Sequence, residues 1–470
     1  MPLLGHLALW VALLAGVWGA AMGFAAERLR RADLAESARR AGTALAVALI
    51  VALMALVVAL LRQDFNVAYV TAYTDRALPQ IYRWAAIYAG PEGQLIVWAT
   101  FIALFGAVVE SRPSFNGAVG AIVSVAVGIL LVAQNPFAHL AYTPVDGRGL
   151  APVLQDVGFL VYPPLLYLAF AAAVIPACFA ASALVTRQTE SQARSWIVVS
   201  WILLTLAIGV GLWWSYQRLG FDSSWVWDPV QSQSLPAWLV LTALLVSSAR
   251  GSWSRFWRVN AWLMLFAASL AAWGMFVTSA FRVALAMTLG TTLVCTLMLV
   301  ASWPRRRSSW GLGLAFAGTG LVIVGLALQR LTTRVEPSLR PGETISLKAL
   351  GNRTITFSYL AASHYPVRNT IVTRALIEVR SGTHLVGRVG PQRLQFVDVF
   401  GRDRFEPVSR ADALNRPFES VYAALVAVSA GDDRATLRVA VNPLVWLVWL
   451  GTALAAAGGV VTLVTGRREP

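Results

Sequence analysis

The sequence predicts a polytopic α-helical membrane protein with about 11 transmembrane helices and a small antiparallel β-domain on the outer face. Three observations predict this class: the composition, the length of the apolar runs, and a polar insert near the C-terminal end. Of the 470 residues, 57% are hydrophobic and 13% are charged. A soluble domain has about 45–50% apolar and about 25% charged residues. Because a soluble chain this apolar could not cover its surface with polar groups, we expect an integral membrane protein.

The apolar runs define the expected spans, since a helix needs about 20 mostly apolar residues to cross a bilayer. Eleven runs reach or approach this length, and the third and seventh are the shortest. They are roughly 3–26, 41–62, 94–110, 115–135, 158–185, 196–215, 234–249, 258–278, 283–302, 309–328 and 443–465. An Arg-rich loop follows the long first run, so we interpret that run as a retained span rather than a signal peptide.

The arginines predict the orientation, because short cytoplasmic loops retain Arg and Lys. With the N-terminus outside and the C-terminus inside, the inside loops and the tail carry sixteen Arg, whereas the short outside loops and their edges carry six. Fifteen further Arg lie in the polar insert, which is too long to obey the rule. The net charge of +15 is therefore explained by the arginines of the inside loops, which indicate the topology, and by one basic domain. No nucleic acid partner is needed to explain it.

Alternating polar and apolar residues in the insert predict strands. The clearest runs are Thr344–Leu347, Thr354–Tyr359, Ala375–Val379 and Ala435–Val441. We therefore expect a helical membrane domain over 1–329 and an extracytoplasmic β-domain over 330–442. A last transmembrane helix and a basic cytoplasmic tail make up 443–470.

The outer loop between the sixth and seventh spans, about 213–233, is rich in tryptophan beside one carboxylate. The residues concerned are Trp213, Trp214, Trp225, Trp227 and Asp228. An aromatic belt at the membrane interface explains the tryptophans, and so does a flat binding surface for a large planar ligand. Porphyrin is the obvious planar ligand, and its iron takes His, Met, Cys or Tyr. Two roles explain Asp228 equally: it is a helix N-cap, or its carboxylate holds the shape of the loop or pairs with an Arg.

Several motifs, taken in order, resemble the CcmF family, the membrane haem lyase subunit of bacterial cytochrome c maturation. The tryptophan-rich loop is similar to the family's WWD motif, and Tyr162-Pro163-Pro164 is similar to its Pro-Pro motif. Further similar segments are Leu4–Leu9, Asp64–Val70, Asn135–Phe137, Val421–Leu425 and Asn442–Trp446. The resemblance covers nearly the whole chain.

The resemblance implies that haem is delivered to the outer face and attached to Cys-x-x-Cys-His motifs of apocytochrome c. It implies a bacterial inner membrane location. The partners it implies are membrane lipid, other cytochrome c maturation proteins, and apocytochrome c or a haem chaperone. In the family, one outer pair of His flanks the tryptophan-rich loop and ligates haem. A second pair, within the membrane, ligates a b-type haem.

The chain departs from the family at these ligand positions. It has four His, and none lies between His139 and His364. The outer positions correspond to Tyr162 and to a residue near 281–287. The inner positions correspond to Val246 and Phe316. Because Val and Phe cannot ligate iron, we predict no intramembrane b-type haem. With two Cys and no Cys-x-x-Cys, we also predict no metal site.

Tyr162 and His139 are the remaining candidates for haem contact at the outer face. Tyr162 is either a tyrosinate ligand, which needs a nearby Arg to lower its pKa, or an ordinary interfacial tyrosine. His139 is either a ligand that reaches the tryptophan-rich loop or a solvated loop residue.

The sequence predicts a component related to the haem lyase that handles haem or apocytochrome c at the outer face. The alternative is a non-catalytic structural subunit that reuses the scaffold without haem. A transporter is disfavoured, because no span shows the buried ionisable residue that marks a pathway. Catalytic residues stay unassigned and enzymatic activity stays open, since the family's ligating His are absent.

Overall fold

The computed structural model describes residues 1–188, 191–219, 234–248, 257–276, 310–349, 353–367, 370–397, 402–403, 405–429 and 433–466. Twelve α-helices lie in these ranges. In chain order they are α1 (Pro2–Leu29), α2 (Ala32–Arg62), α3 (Ala68–Tyr73), α4 (Gln80–Ala85), α5 (Pro91–Val108), α6 (Pro113–Val132), α7 (Val157–Thr186), α8 (Gln192–Leu219), α9 (Ser234–Ser248), α10 (Trp257–Phe276), α11 (Trp310–Leu328) and α12 (Trp446–Gly466). Within the described ranges, eight helices are long and apolar enough to cross a membrane: α1, α2, α5, α6, α7, α8, α11 and α12.

These helices confirm the polytopic helical class. The first six predicted spans and the last two coincide with the eight long helices. The predicted runs 234–249 and 258–278 coincide with α9 and α10. The predicted span 283–302 lies outside the described residues. The total of eleven spans and the outside position of the N-terminus stay predictions.

The first predicted inside loop is far shorter than the sequence suggests. We expected a loop over 27–40, but α1 and α2 together cover all of it except Arg30 and Arg31. Arg30 ends α1 in the left-handed conformation, with φ 53°. In α2, Glu36 accepts a hydrogen bond at 2.8 Å from Arg40, four residues later. Oppositely charged side chains at this spacing stabilise a helix. The charged residues from which we expected a loop therefore belong to α2.

Helix α7 forms the centre of the helical bundle. In its most apolar stretch 78% of the residues are buried, against 28–56% in the other seven long helices. It packs against α5, α6, α8 and α10. Ala169, Ala171, Ala172 and Ala173 are buried in it, and small side chains let helices approach closely in a membrane. The start of α7 therefore lies where several elements meet.

The segment between α2 and α5 contains α3 and α4 and is joined to the stretch before α7. Val67 and His139 form an isolated antiparallel bridge, and the flanking backbone groups hydrogen-bond at 2.8 and 2.9 Å. The buried hydroxyl of Tyr69 accepts a hydrogen bond from the Gly90 N–H at 3.1 Å. The same hydroxyl donates to the Ala86 carbonyl at 3.0 Å. These bonds hold α3 against the start of α5.

Eleven strands of the described chain lie between α11 and α12. They are β1 (Thr333–Val335), β2 (Ser338–Leu339), β3 (Thr344–Lys348), β4 (Thr354–Val367), β5 (Thr370–Ser381), β6 (His384–Val389), β7 (Gln392–Phe396), β8 (Val408–Arg410), β9 (Asp412–Asn415), β10 (Glu419–Val428) and β11 (Ala435–Pro443). One sheet has the order β1-β11-β10-β9, with β2 also paired to β11. The other has the order β3-β4-β5-β7-β8, with β6 paired to β5. All pairs are antiparallel, which confirms the predicted β-domain.

The two sheets pack face to face, and one of them also packs against the helices. Along β10, Val421 and Ala423 belong to the core shared with the second sheet. The alternate residues Tyr422 and Ala424 belong to a cluster with Tyr216 of α8 and with the first turn of α12. Successive side chains of a strand point to opposite faces. The β-domain therefore sits on the end of α8, beside the start of α7.

Candidate functional site

Asp156 begins the central helix α7 and forms the middle of the site. It is the N-cap of the helix, and its Oδ1 accepts a hydrogen bond from the Gly158 N–H at 2.9 Å. A carboxylate at this position satisfies a free helix N–H and interacts favourably with the helix dipole. Its second oxygen, Oδ2, faces two arginines that come from other parts of the chain.

Arg218, near the end of α8, lies almost fully buried beside Asp156, with 8% of its side chain exposed. Its Nη2 donates a hydrogen bond to the Val153 carbonyl at 2.6 Å and lies 3.7 Å from Asp156 Oδ2. Its Nε and Nη1 are buried and have no hydrogen-bond partner among the described residues. Buried polar groups are normally hydrogen-bonded, so these two donors distinguish Arg218 from an ordinary packed arginine.

Arg410 reaches the same carboxylate from β8. Its Nη2 lies 3.2 Å from Asp156 Oδ2, and 39% of its side chain is exposed. Two guanidinium groups and one carboxylate leave a net charge of +1 in this group, which we call the Asp156 cluster (Asp156, Arg218 and Arg410). Tyr82 of α4 borders the cluster. Burial raises the pKa of Tyr82, and the nearby Arg410 partly opposes that rise.

An aromatic surface lies one helical turn from the cluster. Trp214 precedes Arg218 by four residues on α8, so the two side chains share one helix face. The Trp214 ring centroid lies 6.4 Å from that of Phe159 and 5.8 Å from that of Tyr162, both on α7. Gly158 permits this contact, because a Cβ there would lie 2.0 Å from Trp214 Cδ1. We call Trp214, Phe159 and Tyr162 the aromatic surface; Phe159 and Tyr162 are buried beneath Trp214, which is half-buried.

The site therefore joins flat apolar side chains to a positively charged group. Aromatic side chains bury large flat areas and stack on other rings. Guanidinium groups bind carboxylates through charge-assisted hydrogen bonds. An amphipathic planar anion matches both parts. In the chain ranges that the structure describes, no group of three or more His, Cys, Asp or Glu could hold a metal ion.

Known proteins match this part of the chain. The family described as cytochrome C assembly protein matches residues 88–285, which include Asp156, Tyr162 and Trp214. The cytochrome c-type biogenesis protein CycK of Bradyrhizobium diazoefficiens is 36% identical over 259 residues, 52% of this chain and 39% of that protein. The cytochrome c-type biogenesis protein CcmF of Pseudomonas aeruginosa is 35% identical over 263 residues, 53% of this chain and 40% of that protein. The central part of the chain is therefore similar to proteins of the CcmF family.

A solved structure, cytochrome c haem lyase CcmF, has the same fold. The TM-score is 0.76 at 18% sequence identity, and the match covers 98% of this chain and 97% of that chain. The matched part of this chain spans about two fifths of the length of the curated CcmF and CycK relatives. The long apolar helices and the bacterial relatives support an integral protein of a bacterial inner membrane.

The structure brings together part of the predicted haem site. Trp214 and Tyr162 are in contact, and Trp213 is half-buried on the same turn of α8. Three predicted residues lie outside the described residues: Trp225, Trp227 and Asp228. His139 is exposed, and its backbone forms the bridge to the segment before α3. Contact of these seven residues with haem stays a prediction.

The positions that correspond to the CcmF family's other ligands have different surroundings. Val246 is buried in α9, whereas Phe316 on α11 is 41% exposed. The second outer position, 281–287, lies outside the described residues. His6 accepts a hydrogen bond from the Trp10 indole at 3.2 Å. The remaining histidines lie on strands of the β-domain: His364 and His384.

The Asp156 cluster is the part of the site that the sequence does not predict. No sequence pattern links Asp156 to Arg218 and Arg410, and the two arginines count only toward the arginine distribution. Arg410 is 254 residues from Asp156, so no spacing rule joins them. One local signal was available: an Asp two residues before a glycine at the start of a long apolar run is a typical helix N-cap.

Proposed function

We propose that this protein handles haem or apocytochrome c at the outer face of the bacterial inner membrane during cytochrome c maturation. The observation that carries the proposal is the position of the aromatic surface one helical turn from the Asp156 cluster, at the start of α7. The similarity to CcmF-family proteins and the CcmF fold support it. The cluster also joins helices to the β-domain, so a ligand held there would touch both parts of the protein.

The residues fit the porphyrin ring and its carboxylates. Trp214, which is half-buried against the buried rings of Phe159 and Tyr162, would lie against the ring, and Arg218 and Arg410 would hold its acidic edge. Bound haem supplies iron-centred ligand and redox chemistry, while this chain's residues bind and orient it. In the aromatic surface, Tyr162 carries a phenol, a group that haem iron takes as an axial ligand. A histidine from a partner chain is the other source of a ligand.

The proposal includes the orientation and the partners that the arginine distribution and the family imply. The N-terminus and the β-domain lie outside, and the C-terminus lies inside. Apocytochrome c, a haem chaperone and other cytochrome c maturation proteins bind at the outer face, beside membrane lipid. The chain carries no b-type haem between its spans, because Val246 and Phe316 stand at the positions of the family's inner ligands.

A specific observation favours a second candidate function, a structural subunit that binds no haem. Both inner ligand positions hold apolar side chains, and the sequence has no His between His139 and His364. In this case the same scaffold assembles with partner proteins, and Trp214 serves only to pack α8 against α7.

Titration of the purified full-length protein with ferric haem separates the two functions. We expect saturable binding with a Soret band shifted from that of free haem in the same detergent. The absence of any such band after haem loading would contradict the haem-handling proposal and favour the structural subunit. A second titration with the Tyr162→Phe variant tests the axial ligand. A changed spectrum supports Tyr162 ligation, and an unchanged spectrum eliminates it.

Co-purification tests the partners independently of haem. The tagged protein is isolated from its native membrane in mild detergent, and the captured proteins are identified. We expect a haem chaperone, a thioredoxin-like protein or another cytochrome c maturation protein. A synthetic apocytochrome peptide with a Cys-x-x-Cys-His motif should bind as well. If neither the peptide nor a maturation protein binds, the assembly role fails.

A further inference from the structure

The Asp156 cluster carries a positive charge that its own residues leave unpaired. Asp156 Oδ2 is shared between Arg218 at 3.7 Å and Arg410 at 3.2 Å. One carboxylate cannot neutralise two guanidinium groups. Arg218 keeps two buried donors, Nε and Nη1, without a partner in the described part of the chain. A charged group buried to this extent is normally paired and hydrogen-bonded.

The missing partner carries a single negative charge and two acceptor oxygens, one for each arginine. Nε and Nη1 of Arg218 point in different directions in the guanidinium plane, so Arg218 offers a carboxylate one hydrogen bond and Arg410 offers the other. Asp156 limits what the cluster accepts, because a dianion such as phosphate would bring a second negative charge close to Oδ2. The net charge of +1 therefore favours a monovalent carboxylate.

The position of the cluster identifies the molecule that carries this carboxylate. Arg218 lies one turn beyond Trp214 on the same face of α8, and Trp214 packs on Phe159 and Tyr162. We propose that Arg218 and Arg410 bind one propionate carboxylate of a tetrapyrrole whose ring lies against Trp214. This proposal deepens the proposed function and rests on it.

The two arginines have different roles in the proposed site. Arg218 is fixed by burial and by its bond to the Val153 carbonyl, so it provides a preorganised donor. Arg410 is partly exposed and belongs to β8. It can hydrogen-bond the incoming carboxylate while it remains close to Asp156. A bound propionate therefore adds a contact between α8 and the β-domain.

The test compares ferric protoporphyrin IX with its dimethyl ester, which has the same ring and iron but no carboxylate charge. Both are titrated into the full chain in the same detergent, and Kd is measured from the Soret band. We expect the free acid to bind roughly tenfold more tightly, the effect of about one charge-assisted hydrogen bond. Metal-free protoporphyrin IX should show the same preference over its ester, because the preference does not depend on iron.

Three variants locate the effect. Arg218→Gln should weaken binding of the free acid roughly tenfold and leave the ester unchanged. Arg218→Lys keeps the charge but loses the planar guanidinium. Its affinity for the free acid should lie between those of the wild-type protein and Arg218→Gln. Arg438→Gln is the matched control, since Arg438 also belongs to the β-domain and also lies 3.2 Å from a carboxylate, that of Glu336. It should change neither Kd.

The outcomes separate this proposal from the proposed function. Equal affinity of the wild-type protein for acid and ester, with a clear Soret shift for both, would overturn the propionate site and leave haem handling intact. The same holds if Arg218→Gln weakens acid and ester alike. Binding of neither porphyrin would remove the proposed function and the propionate site together. The wild-type comparison needs no variant, so a variant that does not fold cannot obscure the result.

Discussion

The hydroxyl of Tyr216, on α8, lies 2.5 Å from the hydroxyl of Ser420 on β10. Ser420 donates its own proton to Asn415 at 2.7 Å, so Tyr216 is the donor in this pair. Both residues are about 2% exposed. A buried side-chain hydrogen bond thus joins a membrane helix to the β-domain close to the Asp156 cluster. It supplements the packing of Tyr216 against Tyr422, whose ring centroid is 5.9 Å away.

Tyr216→Phe should weaken the attachment of the β-domain. The variant keeps the ring and removes the hydrogen bond to Ser420 and the longer one from Asn442 at 3.5 Å. A buried hydrogen bond contributes about 0.5–1.5 kcal/mol net. We expect the thermal midpoint of the full chain in detergent to fall. Tyr365→Phe is the matched control, because Tyr365 on β4 is 36% exposed. Equal midpoints for the two variants would show that the Tyr216 hydroxyl does not stabilise the junction.

Two glycines on α11 should respond in opposite directions to alanine. A Cβ at Gly318 would lie 2.3 Å from the Ala455 backbone nitrogen on α12, whereas a Cβ at Gly320 meets nothing within 4 Å. Gly318→Ala therefore forces α11 and α12 apart, and overpacking of this kind costs about 1–3 kcal/mol. Gly320→Ala should be neutral or stabilise the helix by up to about 1 kcal/mol.

The two glycine variants are compared by thermal unfolding of the full chain in one detergent. The prediction is a lower midpoint for Gly318→Ala and an equal or higher midpoint for Gly320→Ala. The same sign for both would mean that helix propensity, rather than close packing against α12, controls stability at these positions.

The sequence predicts the helices and the β-domain well because each depends on local pattern. A long apolar run is stable as a helix in the bilayer, and a run of alternating polar and apolar residues is stable as a strand of a sheet with one buried face. Local pattern failed at 27–40, where charged residues suggested a loop. There Glu36 and Arg40 pair at helical spacing and lengthen α2. Charged residues indicate which segments lie outside the hydrocarbon core of the membrane. They do not indicate where a helix ends.

The sequence predicts the aromatic half of the candidate site and misses the charged half. Trp214 and Tyr162 belong to motifs that can be recognised in one short segment each. Arg218 counts as one more outer-loop arginine until its burial against Asp156 is known, and Arg410 lies on a distant strand. The pairing depends on how the β-domain docks on α8. That docking follows from side-chain packing across the junction, which hydropathy and spacing do not encode.

The buried tyrosine in α3 should make the protein sensitive to alkaline pH. Burial raises the pKa of Tyr69 well above 10. Above about pH 10 the unfolded chain releases this proton while the folded protein keeps it. Stability therefore falls as pH rises, by up to about 1.4 kcal/mol per pH unit for this group. We expect the thermal midpoint to drop above pH 10, and Tyr69→Phe should reduce the slope.

Tyr142→Phe is the control for the alkaline effect, because Tyr142 is 76% exposed. Its removal should leave the slope unchanged. Tyr73 and Tyr88 also have a pKa raised by burial, so some alkaline sensitivity should remain after Tyr69→Phe. An unchanged slope in the Tyr69→Phe protein would assign the effect to those neighbours or to other groups.

Trp214 should contribute to porphyrin affinity through its flat face and through its position. Trp214→Ala removes the face, and we expect Kd for ferric haem to rise roughly tenfold, in line with about 0.5–1.5 kcal/mol for an aromatic contact beyond its area burial. Trp214→Phe keeps a smaller ring and should lose less. Gly158→Ala leaves the indole intact but displaces it, because the new Cβ would lie 2.0 Å from Trp214 Cδ1. This variant should weaken binding about as much as Trp214→Ala.

The control is Trp310→Ala at the start of α11, where the side chain is 92% exposed. If Trp310→Ala weakens haem binding as strongly as Trp214→Ala, the effect is a general one of interfacial tryptophans, and the aromatic surface is not the haem site.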